Sequence, residues 1–169
     1  MQAKTPSESA TIATDIVLPS ETNPLNNLFG GELLARMDRA ASIAARRHAR
    51  CIVVTASVNH VAFNKVIPLG TVVTIEAKVS RSFNTSMEIF LDVWIEDVAS
   101  GVRSKANEAI YPFVAVDGSG VPTKVPELKP ETDLEIERYT AALRRKQLSL
   151  VIAGKMKAHD ATELKALFN

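Results

Sequence analysis

The chain has 169 residues, 46% hydrophobic and 23% charged, with a formal net charge of +1. Such a length suits one domain with an appended tail, and a near-neutral charge supplies no field that would draw nucleic acid or an anionic membrane surface. No apolar run approaches the roughly 20 residues needed to cross a bilayer, and the polar stretch from Met1 to Ala10 lacks the apolar core of a secretory signal.

Thr11 to Leu18 is rich in β-branched residues and ends at Pro19, which predicts a first strand. A turn-rich stretch, Ser20 to Asn27, follows with Pro24 and three asparagines. Gly30 to His48 contains no proline, no glycine after Gly31, and many Leu, Ala, Met and Arg residues, so it reads as a helix of about five turns. Beyond Arg50 the period shortens. Val54, Ala56 and Val58 alternate with polar neighbours, as the inward residues of a half-buried strand would. After the Pro68-Leu69-Gly70 turn, Val73, Ile75, Ala77 and Val79 alternate with Thr74, Glu76, Lys78 and Ser80. Met87, Ile89, Leu91, Val93 and Ile95 repeat the pattern against Glu88, Asp92 and Glu96. A last strand runs from Ala106 to Val116 and is closed by Asp117-Gly118-Ser119-Gly120. These alternations predict a mostly antiparallel sheet with one covered face, the long helix as its cover, and hence an α+β class. Pro122, Pro126 and Pro130 end the sheet region. Thr132 and Glu135 match a capping box opening a charged helix to about Leu148, and a shorter helix is expected near Asp160. The expected division is a domain over 11–126 and a charged helical extension over 127–169.

Wound at about 100° per residue, the helix separates an apolar face from a charged one. Leu33, Leu34, Met37, Ala40, Ala41, Ala44 and Ala45 form the first, and Glu32, Arg36, Arg39, Arg46 and Arg47 the second. Asp38 falls on the boundary. Two readings stand: a carboxylate bonded to Ser42 or water, or one aimed into a cleft beside the sheet. Gly31 lies two turns earlier, at the helix N-terminus, where unpaired N–H groups and the positive dipole end suit a developing oxyanion.

The segment Asn23-Pro24-Leu25-Asn26-Asn27-Leu28-Phe29-Gly30-Gly31, with Asp38 seven residues on, resembles the acyl-CoA thioesterases of the hot-dog fold, in the cytosolic acyl-CoA hydrolase group. Val61-Ala62-Phe63 to Pro68-Leu69-Gly70, and Phe113 to Asp117, agree with the same group. The resemblance implies a five- or six-stranded antiparallel sheet wrapped around one long helix. It also implies dimers with composite active sites, assembled as trimers of dimers into hexamers. Catalysis would fall to Asn23 of one subunit and Asp38 of its partner, with the Gly31 N–H as oxyanion donor. Asp38 would either activate water or attack the thioester. Acyl-CoA would be the small-molecule substrate and water its co-substrate, with no metal or organic cofactor and no nucleic-acid or membrane partner. Gly30, Leu33, Met37, Val58 and Phe63 are the expected acyl-side contacts. The family places glycine at the positions of Asn26 and Asn84; both asparagines are expected to keep the loop shape by tolerating φ > 0. The Asn84-Thr85-Ser86 turn, Arg81 and Lys105 are candidates for the CoA nucleotide side.

Other chemistry is set aside. His48, His60 and His159 have no metal spacing, and neither a Gly-x-Ser-x-Gly elbow nor a phosphate loop is present. Cys51 is the only cysteine, which excludes an internal disulfide and points to a reducing, cytoplasmic setting. Trp94 and Phe90 read as a subunit contact, and Arg144-Arg145-Lys146 as a solvated cluster or, if the tail folds back over a neighbour, a contact for the CoA 3′-phosphate. The rival function is an acyl-CoA sensor that binds without cleaving.

Overall fold

The computed structural model describes residues 1–168. Six strands form one antiparallel sheet: β1 (Thr11–Ile16), β2 (Ile52–Thr55), β3 (His60–Phe63), β4 (Val72–Ser82), β5 (Ser86–Glu96) and β6 (Arg103–Val116). Their order is β1-β4-β5-β6-β2, with β3 also on β6. Helix α1 (Gly30–Ala49) lies across the inner face, and α2 (Asp133–Ile152) and the short α3 (Thr162–Lys165) follow the sheet.

The core forms where the two apolar periods meet. Met37, Ala41, Ala44 and Ala45 of α1 are wholly buried, as are Ala77, Val79, Ile89, Leu91, Val93, Ala109 and Ala115 of the strands. Four alanines on one helical face let the α1 backbone approach the sheet closely, and each buried large apolar side chain contributes about 1.5–3 kcal/mol. Arg50, in the left-handed region at φ 57, ends α1 by donating its N–H to the Arg46 carbonyl at 2.8 Å. Lys4 Nζ caps the same terminus through the Arg47 and His48 carbonyls at 3.1 and 2.7 Å. His48 is buried, and its Nε2–H donates to the Pro126 carbonyl at 2.8 Å.

Three sequence expectations are corrected. Arg36 does not join a solvated face: it is buried at 7% exposure, its Nη2 on Glu21 Oε2 at 2.6 Å. The inward phase after α1 is shifted by one, since Val53 packs inward opposite Ala115 while Val54 and Val58 are half-exposed. The run is also not one strand. β2 pairs with β6 up to Thr55↔Phe113 and β3 resumes at His60↔Ile110. Pro112 lies opposite the interruption. Its carbonyl accepts the Ala56 N–H at 2.9 Å, so the N–H that proline lacks would have pointed to the same edge.

The third correction concerns the outer face, which α2 covers. Glu88 and Asp92 are buried beneath it. Arg145 grips Glu88 through two parallel bonds, Nε–Oε2 at 2.9 Å and Nη2–Oε1 at 2.8 Å, and Arg138 reaches Asp92 at 2.9 Å. Arg138 also stacks on Phe90, 3.7 Å from its ring centre. Arg145 is thus an internal partner rather than a member of a solvated cluster. The Thr132–Glu135 capping box is formed as predicted. Leu128, beyond residue 126, is buried in the core, and the Lys4 backbone pairs with Glu127 and Lys129.

Candidate active site

The Ser20–Leu28 loop is knitted by its own polar groups. Asn23 Oδ1 accepts the N–H groups of Leu25 at 2.9 Å and Asn27 at 3.2 Å, which assigns the amide oxygen. The Asn23 NH₂ forms no hydrogen bond among the described residues, so the side chain keeps two donor hydrogens for another partner. Asn26 takes φ 56, as expected of an asparagine in a glycine position, and its carbonyl accepts Leu69 N–H at 2.8 Å. Leu28 N–H on the Ile67 carbonyl, at 2.7 Å, ties the loop to the segment before β4.

The loop delivers the chain to an α1 terminus that no side chain caps. Glu32 and Leu33 donate back to the Phe29 carbonyl at 3.0 and 3.1 Å, leaving the Gly30 and Gly31 amides without a backbone acceptor among the described residues. A Cβ on Gly31 would sit 3.4 Å from the Phe29 ring, and one on Gly30 would sit 3.8 Å from Phe63. Phe63 therefore flanks the helix end.

Asp38 lies about 10 Å further along the axis, two turns beyond Gly31. The half-buried carboxylate is held at Oδ1 by the Thr55 hydroxyl at 2.8 Å, the last residue of β2. Neither Ser42 nor a purely solvated setting describes it. Below it lies buried Tyr111, whose phenol is pushed up to about 12 by burial, with the Asp38 charge adding to the rise. Asp38 is thus oriented at Oδ1 alone, and its Oδ2 forms no hydrogen bond among the described residues. Thr55 escaped the sequence reading because a strand threonine carries no local mark of a partner on a helix 17 residues away. No hydrogen bond joins Asn23 to Asp38 within the chain.

The other candidates are distributed as follows. Leu33 and Met37 are fully packed core side chains. Val58 stands outside the core, in the 56–59 connection that faces the end of α2. Arg81 donates to the Tyr139 carbonyl at 2.9 Å and stacks on that ring at 4.1 Å, so α2 holds it. Lys105 is paired with Asp92 and Glu108, each at 2.7 Å. Asn84 does not adopt positive φ; its turn is kept by Val125 N–H on the Asn84 carbonyl and Ala115 N–H on the Thr85 carbonyl, next to Ser86 at the start of β5. Among the described residues no three His, Cys, Asp or Glu side chains cluster to hold a metal.

The sequence signature of the Thioesterase superfamily matches residues 25–102. The uncharacterized acyl-CoA thioester hydrolase YkhA of Bacillus subtilis is 41% identical over 138 residues, 82% of this chain and 80% of that protein. The chain belongs to the thioesterase superfamily. Among solved structures, the thioesterase superposes on an apo-hexameric acyl-CoA thioesterase with a TM-score of 0.87 at 37% identity, covering 90% of this chain and 98% of the other. An acyl-CoA hydrolase of Staphylococcus aureus, solved with butyryl coenzyme A, coenzyme A and coenzyme A disulfide, gives 0.83 at 35% identity over 97% and 99%. Three further structures of that enzyme each carry an alanine in place of an aspartate, a threonine or an asparagine. These neighbours place the fold of the thioesterase in the hot-dog class.

Proposed function

We propose that this thioesterase hydrolyses acyl-CoA to free fatty acid and CoA, with Asp38, Asn23, Gly31 and Thr55 as its apparatus. The observation that carries the reading is a carboxylate fixed at one oxygen by Thr55 and spaced one substrate group from an uncapped helix N-terminus. Oδ2 of Asp38 takes a proton from water as the water oxygen adds to the thioester carbonyl. The carbonyl oxygen, now charged, is met by the Gly31 N–H and the dipole end, and the Asn23 NH₂ steadies the same group. The intermediate collapses by breaking the C–S bond, and the proton passes to the departing thiolate. No metal or organic cofactor is required. The relatives' names and the CoA-bound neighbour support the substrate class. The three residues replaced in the S. aureus enzyme stand at the same mutual intervals as Asn23, Asp38 and Thr55, which supports the residue set.

The working unit is a homodimer with Asn23 of one subunit facing the partner's Asp38, and we place three such dimers in a hexamer. Support comes from a collar of apolar side chains around the site, Leu25 78%, Phe29 58%, Phe63 56% and Val66 69% exposed, which a second copy would cover. Three of the related thioesterase structures are hexameric. Within this reading residues 11–126 are the hydrolase unit, 127–169 an extension docked on it, and the cytoplasm the setting in which acyl-CoA is met.

Thiol release from a panel of acyl-CoAs of increasing length tests the proposal. Wild type should turn over, Asp38→Ala should lose about a hundredfold or more while folded, and Asn23→Ala and Thr55→Ala should lose less. Acyl-CoA binding with no thiol released across the panel would replace the hydrolase with a sensor. A single turnover in ¹⁸O-water separates the two roles of Asp38: label found in the Asp38 carboxylate would replace general-base attack with direct attack.

A further inference from the structure

We propose that Glu21 and Arg36 form a positioning pair for hydrolysis, fixing the loop that carries Asn23 against the Gly30-Gly31 end of α1. The inference rests on the catalytic reading of Asn23 given above.

Arg36 sits in an α1 position where an apolar side chain would pack without desolvating a charge. Its side chain is 7% exposed, with Nη2 on Glu21 Oε2 at 2.6 Å and on the Ile16 carbonyl at 3.1 Å, while Nη1 is buried without a partner among the described residues. Asp15 is 3.9 Å away and itself 69% exposed, so Glu21 is the principal counter-charge. A buried pair with an unsatisfied N–H is a poor device for stability, since apolar replacements often do as well. What it supplies is a fixed direction. Glu21 is where both ends of the Asn23 loop converge. Its carboxylate accepts the Leu18 N–H at 2.9 Å as well as Arg36, and its backbone carbonyl accepts the Phe29 N–H at 2.8 Å. Phe29 is the residue before the two glycine amides, and Asn23 follows Glu21 by two residues. Swinging the loop away from α1 would break the carboxylate bond and the backbone bond together. The Asn23 amide is thereby fixed relative to α1 of its own subunit, which sets the direction in which it reaches across to the partner's Asp38.

The test is steady-state acyl-CoA hydrolysis by Glu21→Ala, Glu21→Gln, Arg36→Met and Arg36→Lys, together with Glu21→Ala in the Asn23→Ala background. Glu21→Ala and Arg36→Met should each lower kcat about tenfold or more with KM held within about twofold, the signature of misplaced groups rather than lost binding. Glu21→Gln, still an acceptor for both N–H groups, should recover most of that loss. With Asn23 already truncated, Glu21→Ala should lower kcat by less than about twofold further, because no amide remains to be positioned. A raised KM at unchanged kcat, a melting-temperature drop with wild-type kcat, or full additivity with an impaired Asn23→Ala would each overturn the pair while leaving the catalytic reading intact. Wild-type kcat in Asn23→Ala would remove the Asn23 role itself. If the truncations do not fold, Arg36→Lys, which keeps the charge without reaching both Glu21 and Ile16, carries the same kcat comparison.

Discussion

The two long helices of the thioesterase each span 20 residues and meet the same sheet by opposite chemistry. α1 presents alanines and Met37 to the inner face, where contact is apolar and non-directional. α2 presents Arg138 and Arg145, two helical turns apart, to Asp92 and Glu88, four residues apart on β5. About 10 Å along the helix meets about 13 Å along the strand, and the pairing order makes α2 run antiparallel to β5. Charge pairs of this kind set the direction and register of a docked element, whereas close apolar packing supplies the depth of the energy well. The first builds an appended part; the second builds the fold.

The largest expected effect separates the faces at once. Met37→Ala should lower the unfolding free energy by about 2–5 kcal/mol in urea denaturation, because it hollows a site with no exposure. Arg145→Ala should cost about 3 kcal/mol, the low end for a broken buried pair, because the Ser80 hydroxyl still donates to Glu88 Oε1 at 2.6 Å. Replacing both by leucine should return stability to within about 1 kcal/mol of wild type. A double variant as unstable as Arg145→Ala would show that α2 depends on more than its charge pairs.

The connection between the faces titrates. Burial holds the His48 imidazole below its ordinary pKa, and protonation would add a proton at Nδ1, which has no partner. The folded state therefore binds fewer protons than the unfolded state below about pH 6.5. Stability should fall with decreasing pH, by up to about 1.4 kcal/mol per pH unit, until the folded-state pKa is passed. The slope should flatten in His48→Asn. Smallest is the salt effect. Raising ionic strength to 1 M should increase amide exchange in α2 by the equivalent of about 0.5 kcal/mol and leave α1 unchanged. Equal responses would erase the contrast between the helices.

The inner half of the molecule was legible in the sequence because one covered face writes its period into the chain. The Leu33 to Ala45 stripe, the alternation of β4 and β5, the Thr132–Glu135 box and the conformation of Asn26 are all local signals. The outer half was not. Glu88 and Asp92 have the alternation of solvent-facing residues, and only Arg138 and Arg145, about 50 residues later, change their meaning. Arg36 was misread for the same reason, since Glu21 lies across a loop. Of the candidate site, Asn23, Gly31 and Asp38 were marked by the resemblance of their segment to the acyl-CoA hydrolase group. Thr55 was not, and neither was the one-residue shift that carries Val54 and Val58 outward.

Pro112 gives that shift a wider meaning. One missing amide hydrogen in the longest strand divides the facing edge into β2 and β3, so the four residues between them are governed by loop rules rather than ladder rules. The chain beside Thr55 can consequently change length or composition without disturbing the register of the sheet on either side.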